Sequence, residues 1–302
     1  MKRIFLFVLI NFLIISAISI VISIFHLSPY ITHFGLNYYS LMIFCLMWGM
    51  FGALISLFLS KKMAKWLMKV NLIQFSTQNQ KELFILKKIE EFSKKANLKM
   101  PEVGIYPSKE INAFATGPSK KNSLVALSQG LLDNMNEVEI EGVIAHEITH
   151  IANGDMVTMT LIQGIINAFV MFLARILAYF VSSVMRSNRN NNFSYLTYML
   201  FVFLFQSIFM VFGIMVISFF SRKREYKADK GGSILSGKEK MIKALQALKS
   251  FQKIKENEKM VVKNKEVFQS LKISNPTKKK LFSLIFATHP PLDARIEKLR
   301  NG

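Results

Sequence analysis

Two long stretches without a charged side chain constrain this fold most. No Asp, Glu, Lys or Arg lies between Arg3 and Lys61, and none lies between Arg189 and Arg222. About 20 apolar residues suffice for a helix to cross the hydrocarbon core of a bilayer, so windows of this length are typical of membrane segments. Because 51% of the residues are hydrophobic, disorder is excluded. The pattern predicts an integral membrane protein.

The apolar stretches contain four candidate spans, residues 4–25, 38–59, 156–185 and 194–220. The first is longer than the apolar core of a signal peptide, which is typically about 7–15 residues, so we expect an uncleaved anchor. The third contains Gln163, Asn167 and Arg175 and is the weakest span. For the last pair it stays open whether the helices cross fully, insert only partly or pack on the soluble domain.

Basic residues flank the spans asymmetrically. Lys2 and Arg3 precede the first span, a lysine cluster begins at Lys61 after the second, and a basic triplet begins at Arg222 after the fourth. The positive-inside rule then places the N-terminus, the water-soluble segments and the C-terminus in the cytoplasm. We expect a membrane hairpin at residues 1–60, a soluble segment at 61–155, a second hairpin at 156–221 and a second soluble segment at 222–302.

The formal net charge of +20 would also suit a nucleic-acid-binding protein. The sequence has no zinc-finger spacing, no aromatic ribonucleoprotein motif and no basic helix with heptads, and its charge is scattered outside the apolar windows. We therefore expect membrane lipid rather than nucleic acid as the partner of the basic residues. The single cysteine, Cys45, excludes an intrachain disulfide.

The soluble segments show local structural patterns. Residues 82–97 have the amphipathic period of a helix, and short strand-like runs occur at 102–106, 113–116 and 124–127. Asn136 is a helix N-cap type followed by acidic residues, which predicts a helix that begins there.

The candidate chemistry lies on that last helix, in the sequence His146-Glu147-Ile-Thr-His150. Residues four apart share one helix face, so both imidazoles can bind one metal ion, with Glu147 beside it to activate water. A catalytic zinc usually has three protein ligands. The third is either His289 or a carboxylate, and Glu225 is the best carboxylate because the chain returns there from the membrane.

Four ordered blocks, residues 112–117, 146–155, 225–229 and 288–295, resemble those of the bacterial integral-membrane zinc metalloproteases of peptidase family M48. The resemblance spans nearly the whole chain. It implies a mainly α membrane protein with a cytoplasmic, zincin-like α+β metalloprotease domain of the gluzincin type, which contains a small β-sheet. It also implies one Zn²⁺ per chain, polypeptide substrates and a metalloendopeptidase that acts in membrane protein quality control and the stress response.

The resemblance also assigns roles to single residues. His146, His150 and Glu225 are the expected zinc ligands, and Glu147 is the expected general base. His289 and Asn112 are candidate donors to a developing oxyanion, although His289 could instead hold its loop against the core. Two carboxylates, Asp155 and Asp229, are expected to orient an imidazole N–H.

The run Ala113, Phe114, Ala115 and Thr116 is a candidate edge strand on which an extended substrate could pair. An ordinary interior strand is the alternative, and in both cases Gly117 and Pro118 are expected to end it. Two other functions stay open. One is an intramembrane protease, which the acidic residues before His146 disfavour, and the other is a zinc-binding membrane scaffold or transporter, for which Arg175 is the only ionisable residue inside a span.

Overall fold

The structure is a computed structural model, and it describes residues 31–32, 35–188, 195–265 and 286–301. The first predicted span, residues 4–25, lies outside the described residues. The chain divides into two compact units, residues 1–54 with 161–217 and residues 55–160 with 218–302.

The described elements are two short strands, a series of helices and a small sheet. In chain order they are β1 (Ile31–Thr32), β2 (Gly35–Leu36), α1 (Tyr38–Leu67), β3 (Asn71–Leu72), α2 (Gln80–Lys95), β4 (Glu102–Tyr106), β5 (Ala113–Ser119), β6 (Asn122–Ser128), α3 (Gln129–Asn134), α4 (Glu137–Asn153), α5 (Asp155–Asn188), α6 (Tyr195–Ser236), α7 (Lys238–Lys265) and α8 (Leu292–Asn301).

Three of these helices, α1, α5 and α6, are long and apolar enough to cross a membrane. The chain is therefore a multi-pass membrane protein. The second and third predicted spans and the described part of the fourth, residues 195–220, lie on these helices. In the first unit α1 and α5 approach closely, since a Cβ on Gly49 would lie 2.8 Å from the carbonyl oxygen of Gly164. Small residues permit such close backbone contact between membrane helices. Cys45 is buried there as a free thiol.

Helix α6 extends beyond the fourth predicted span. The span ends at Phe220, but the helix continues without a break to Ser236, so Glu225 lies inside this helix. The basic residues that follow the apolar window are good helix formers. The break comes only at Gly237, which has a φ of 99°.

The sheet of the second unit has the strand order β3-β4-β6-β5. Strands β4 and β6 are parallel, and the other two pairs are antiparallel. The three predicted strands are confirmed, and β5 lies at an edge. The prediction that Gly117 and Pro118 end β5 is wrong, because the strand runs to Ser119 across an irregularity that begins after Thr116. Gly117 lies at this irregularity and has a φ of 142°, which favours glycine.

Helix α4 lies at the centre of the second unit. Its predicted N-cap is confirmed, because Asn136 and Glu139 form a capping box, and Gly154 ends the helix in the left-handed conformation. Every residue from 140 to 151 is buried, as expected for a helix covered on all sides. Gly142 lets α7 approach closely, since a Cβ there would lie 2.6 Å from the carbonyl oxygen of Lys240.

Candidate metal centre

Helix α4 brings His146 and His150 together as their spacing predicts. Their Nε2 atoms are 3.1 Å apart, and both residues are buried. Glu147, between them in sequence, is also buried.

A carboxylate lies within hydrogen-bond distance of the Nδ1 atom of each imidazole ring. Nδ1 of His150 lies 2.6 Å from Oδ2 of Asp155, and Nδ1 of His146 lies 3.0 Å from Oδ1 of Asp229. With both Nδ1 atoms donating to carboxylates, the neutral rings present only lone pairs at Nε2. Two lone pairs that face each other repel, so this arrangement favours a proton or a metal ion between the two Nε2 atoms.

The carboxylate of Glu225 is a third potential metal ligand beside the two imidazoles. Its Oε2 lies 3.5 Å from Nε2 of His146, and its Oε1 lies 3.5 Å from Nε2 of His150. Ligands at about 2.0–2.1 Å from a tetrahedral zinc are about 3.3 Å apart, so these separations fit that ion. Among the described residues, His146, His150 and Glu225 form the one group of His, Cys, Asp or Glu side chains whose ligand atoms lie close enough together to hold a metal ion.

Two glycines of α6 allow Glu225 to reach the histidines. A Cβ on Gly231 would lie 2.3 Å from Cγ2 of Thr149, and one on Gly232 would lie 3.2 Å from the backbone nitrogen of His146. The backbone of α6 therefore packs directly against α4. Because Asp229 lies one turn after Glu225, one helix face carries both carboxylates.

Arg295 is a residue of the site to which sequence analysis assigned no role. Its Nε and Nη2 donate to the two carboxylate oxygens of Asp229 at 2.7 and 2.6 Å, and its Nη1 is 3.5 Å from Oε2 of Glu225. One sequence signal could have found it. Arg295 lies at the spacing of Leu292, Ile296 and Leu299, which is the apolar stripe of α8, and an arginine in such a stripe is buried only with a partner.

His289 lies at the site, beside the candidate ligand Glu225. Its Nδ1 is 2.9 Å from Oε2 of Glu225, and the side chain is 64% exposed. The segment before it is held by α6, because Arg222 donates to the carbonyl oxygen of Ala287 at 2.9 Å. Asn112 lies next to β5, where its backbone N–H donates to Ser128, and it makes no hydrogen bond to the three candidate ligands.

The buried charged groups of the site shift one another's pKa values. Burial opposes the charge on His150, but hydrogen bonds to Asp155 and Glu225 outweigh it and raise the pKa of His150 to about 9. Burial acts in the same way on His146, yet Asp229 and Glu225 raise its pKa. Burial alone would raise the pKa of Glu225, whereas hydrogen bonds from the histidines lower it well below its usual range. The Arg295 guanidinium likewise lowers the pKa of Asp229 against its burial.

Two histidines from a His-Glu-x-x-His helix that converge with a glutamate from another helix define a zinc metallopeptidase. A protein-family profile described as Peptidase family M48 matches residues 79–302. The chain belongs to peptidase family M48, and the prediction of a zinc metallopeptidase is confirmed.

The similar proteins agree with this family. The chain is 43% identical to the Protease HtpX homolog of Methylacidiphilum infernorum, over 99% of this chain and 98% of that protein. It is 42% identical to the Protease HtpX of Chromohalobacter salexigens, over 100% and 99% of the two chains. Among solved structures, the crystal structure of S. mikatae Ste24p has a TM-score of 0.61 at 20% identity, over 99% of this chain and 67% of that one. This last likeness concerns the fold alone.

Proposed function

We propose that this metallopeptidase is a membrane-embedded zinc endopeptidase that cleaves misfolded or damaged membrane proteins on the cytoplasmic side of the bacterial inner membrane. One observation carries the proposal. Asp155, which holds His150, is the first residue of the apolar helix α5, and Glu225 lies on the apolar helix α6. The site is thus built on two helices long enough to span a membrane, which favours substrates that lie in the membrane.

The proposed arrangement in the membrane follows from the basic flanks. The hairpins at residues 1–60 and 156–221 cross the bilayer, and residues 61–155 and 222–302 form the two parts of a catalytic domain in the cytoplasm. Lys61, Lys62 and Lys65 on α1 and Arg222 and Arg224 on α6 follow the apolar parts of their helices, and this supports a common cytoplasmic side. The acidic residues at the start of α4 support a metal helix that begins in water.

In the proposed mechanism His146, His150 and Glu225 hold one zinc ion, while Asp155 and Asp229 keep the two imidazoles in the productive tautomer. When bound, zinc supplies Lewis-acid chemistry. Glu147 accepts the proton of the attacking water and passes it to the amine that leaves when the peptide bond breaks.

Two further residues are proposed to stabilise the developing oxyanion. His289 supports this role because its imidazole is exposed and yet lies beside the ligand Glu225. Asn112 is proposed for the same role because it lies next to β5. We expect His289→Ala to lower kcat by about 10²–10³-fold with zinc content unchanged. If His289 only holds its loop, zinc content or stability would fall instead.

Substrate pairing is proposed for the outer edge of β5, at Ala113, Phe114, Ala115 and Thr116. One edge of this strand pairs with β6, and no other described strand pairs with it. An exposed sheet edge offers main-chain donors and acceptors to an extended peptide, whatever its side chains.

The decisive experiment combines zinc analysis and cleavage for the purified full chain in vesicles, with a destabilised membrane protein and casein as substrates. We expect Glu147→Gln to keep zinc and lose cleavage, whereas Glu225→Ala should lose both. Glu137→Gln, on the same helix but exposed, is the control that keeps both. Unchanged cleavage by Glu147→Gln would remove Glu147 as the base, and equal cleavage of folded and destabilised membrane proteins would exclude quality control.

Topology is tested separately with single cysteines in a Cys45→Ser background. A cysteine at the exposed position Lys87 should react with an impermeant maleimide only from the cytoplasmic side. Reaction from the outer side alone would overturn the proposed orientation.

A further inference from the structure

Large apolar side chains are exposed immediately after the apolar part of α1. They are Met63, Trp66, Leu67, Met68, Leu72 and Phe75. All of them lie within residues 62–75, which are called the 62–75 segment below. Trp66 is 75% exposed and Phe75 is 76% exposed. Because they lie beyond the first charged residue of α1, they are not explained by the membrane-spanning window. Exposed apolar patches of this kind mark sites of interaction.

The position of the 62–75 segment along α1 is fixed by the helix itself. Helix α1 is continuous from Tyr38 to Leu67, and Lys61 is its first charged residue. At 1.5 Å per residue, Trp66 lies about 8 Å beyond Lys61 along the axis. A bilayer of about 40–45 Å with a hydrocarbon core of about 30 Å has headgroup layers of this depth, and Trp is enriched there.

The lysines of this region divide into two pairs. Lys61 lies 2.8 Å from Glu102, and Lys65 also contacts this carboxylate, so both ammonium groups have an ion-pair partner within the protein. Lys62 and Lys69 are exposed and have no carboxylate partner among the described residues. Two uncompensated cations therefore stand beside exposed aromatic and aliphatic side chains, a combination that suits an anionic, partly apolar partner.

Lys69 lies where the chain leaves α1. It has a φ of 52° in the turn between α1 and β3, and a left-handed residue of this kind commonly ends a helix. The backbone N–H of Val70 donates to the carbonyl oxygen of Lys65 at 3.0 Å across this turn. The exposed side chain of Lys69 is therefore placed directly after the helix that carries Trp66.

We propose that the 62–75 segment is a lipid-binding surface that lies in the headgroup layer and binds anionic phospholipids. Trp66 and Leu67 lie among the lipid headgroups, and Lys62 and Lys69 bind lipid phosphates. A lipid is favoured over a protein partner because the surface continues a helix that is itself long and apolar enough to span the membrane. The uncompensated charge has the sign that anionic headgroups attract.

The chain contains only two tryptophans, Trp48 and Trp66, which makes the depth measurable. Trp48→Phe leaves Trp66 as the single emitter, and Trp66→Phe leaves Trp48, about 20 Å before Lys61 within the apolar part of α1. The full chain is placed in phosphatidylcholine vesicles whose acyl chains are brominated close to or far from the headgroup. We expect shallow bromines to quench Trp66 more than deep ones, with the reverse order for Trp48. Full access of iodide to Trp66 without bromine quenching would overturn the proposal.

Lipid selectivity is tested with brominated phosphatidylglycerol and brominated phosphatidylcholine at equal mole fraction. In the Trp48→Phe background, the anionic lipid should quench Trp66 more strongly. Lys62→Glu with Lys69→Glu should abolish this preference, whereas Lys87→Glu with Lys243→Glu, an equal change of charge at exposed sites on α2 and α7, should leave it unchanged. An equal effect of the two pairs would exclude a specific surface.

Other occupants give different results. If a second copy covers the 62–75 segment, Trp66 will be protected from iodide, will not be quenched by any brominated lipid and will become exposed on dilution of the protein in the vesicles. If a substrate segment covers it, addition of substrate will shield Trp66 from iodide. Either result would overturn the assignment to lipid.

Discussion

Arg295 and Asp229 form a buried, two-point ion pair with N–O distances of 2.6 and 2.7 Å. The same carboxylate of Asp229 holds Nδ1 of His146 at 3.0 Å. The guanidinium of Arg295 therefore orients the carboxylate of Asp229, which in turn orients the candidate zinc ligand His146. These contacts connect α8 to α6 and α4. A bidentate arginine also restricts rotation of the carboxylate, which a lysine cannot do.

Replacement of Arg295 should destabilise the site. Arg295→Met leaves the charge of Asp229 buried without its guanidinium partner, and we expect a loss of about 3–5 kcal/mol in the free energy of unfolding, together with weaker zinc binding. Denaturant unfolding in detergent and chelator competition measure the two effects. Arg300→Met, on an exposed position of the same helix, is the control. Asp229→Asn added to Arg295→Met should restore part of the stability, and no restoration would contradict the buried-charge explanation.

Asp155 should control zinc affinity through His150. Asp155→Asn preserves shape but removes the charge that holds Nδ1 of His150 at 2.6 Å. Loss of such a partner typically lowers metal affinity by about 10–100-fold, and competition with a chromophoric chelator measures it. Asp133→Asn, at an exposed position, should bind zinc as the wild type does. Equal affinities for Asp155→Asn and wild type would show that the contact does not orient the ring.

Zinc affinity should fall as the pH is lowered. In the metal-free protein the carboxylates around His150 raise its pKa to about 9. Below that pH both ring nitrogens carry a proton, and one of the two protons must leave before zinc binds. The apparent affinity should therefore rise with pH up to about 9. Calorimetry in buffers of different ionisation enthalpy would count the released protons. A constant affinity from pH 6 to 9, with no proton release, would contradict this mechanism.

Gly231 should be essential to the contact between α6 and α4. Gly231→Ala places a Cβ 2.3 Å from Cγ2 of Thr149, and overpacking of this kind typically costs about 1–3 kcal/mol. Because the helices separate, zinc content should also fall. Thr149→Ser removes the obstructing methyl group and should restore both quantities. Gly52→Ala, where no heavy atom lies within 4 Å, is the control that should leave stability and zinc content intact.

The sequence predicted much of the site because its signals are local. The spacing of His146 and His150 determines a shared helix face, and Asn136 with Glu139 determines where that helix begins. Glu225 could be chosen because the chain returns from an apolar window just before it. Each of these inferences needs only residues within a few helical turns.

The residues that sequence analysis missed depend on long-range packing. Arg295 and Asp229 are 66 positions apart, and no local period predicts their pairing. The end of α6 at Ser236 was not predicted either, since a change from apolar to basic residues marks a change of solvent and not the end of a helix. Gly117 and Pro118 were taken as strand terminators, but an edge strand tolerates both where ladder hydrogen bonds are interrupted.

Glu225 and Asp229 lie on the same continuous helix as the two glycines that pack against α4, Gly231 and Gly232. Each residue added to a helix turns everything beyond it by about 100°. A single alanine inserted between Asp229 and Gly231 would leave composition and hydropathy almost unchanged, yet it would turn Glu225 and Asp229 away from the histidines of α4. The glycine contact between α6 and α4 therefore also determines where the metal ligand of α6 points.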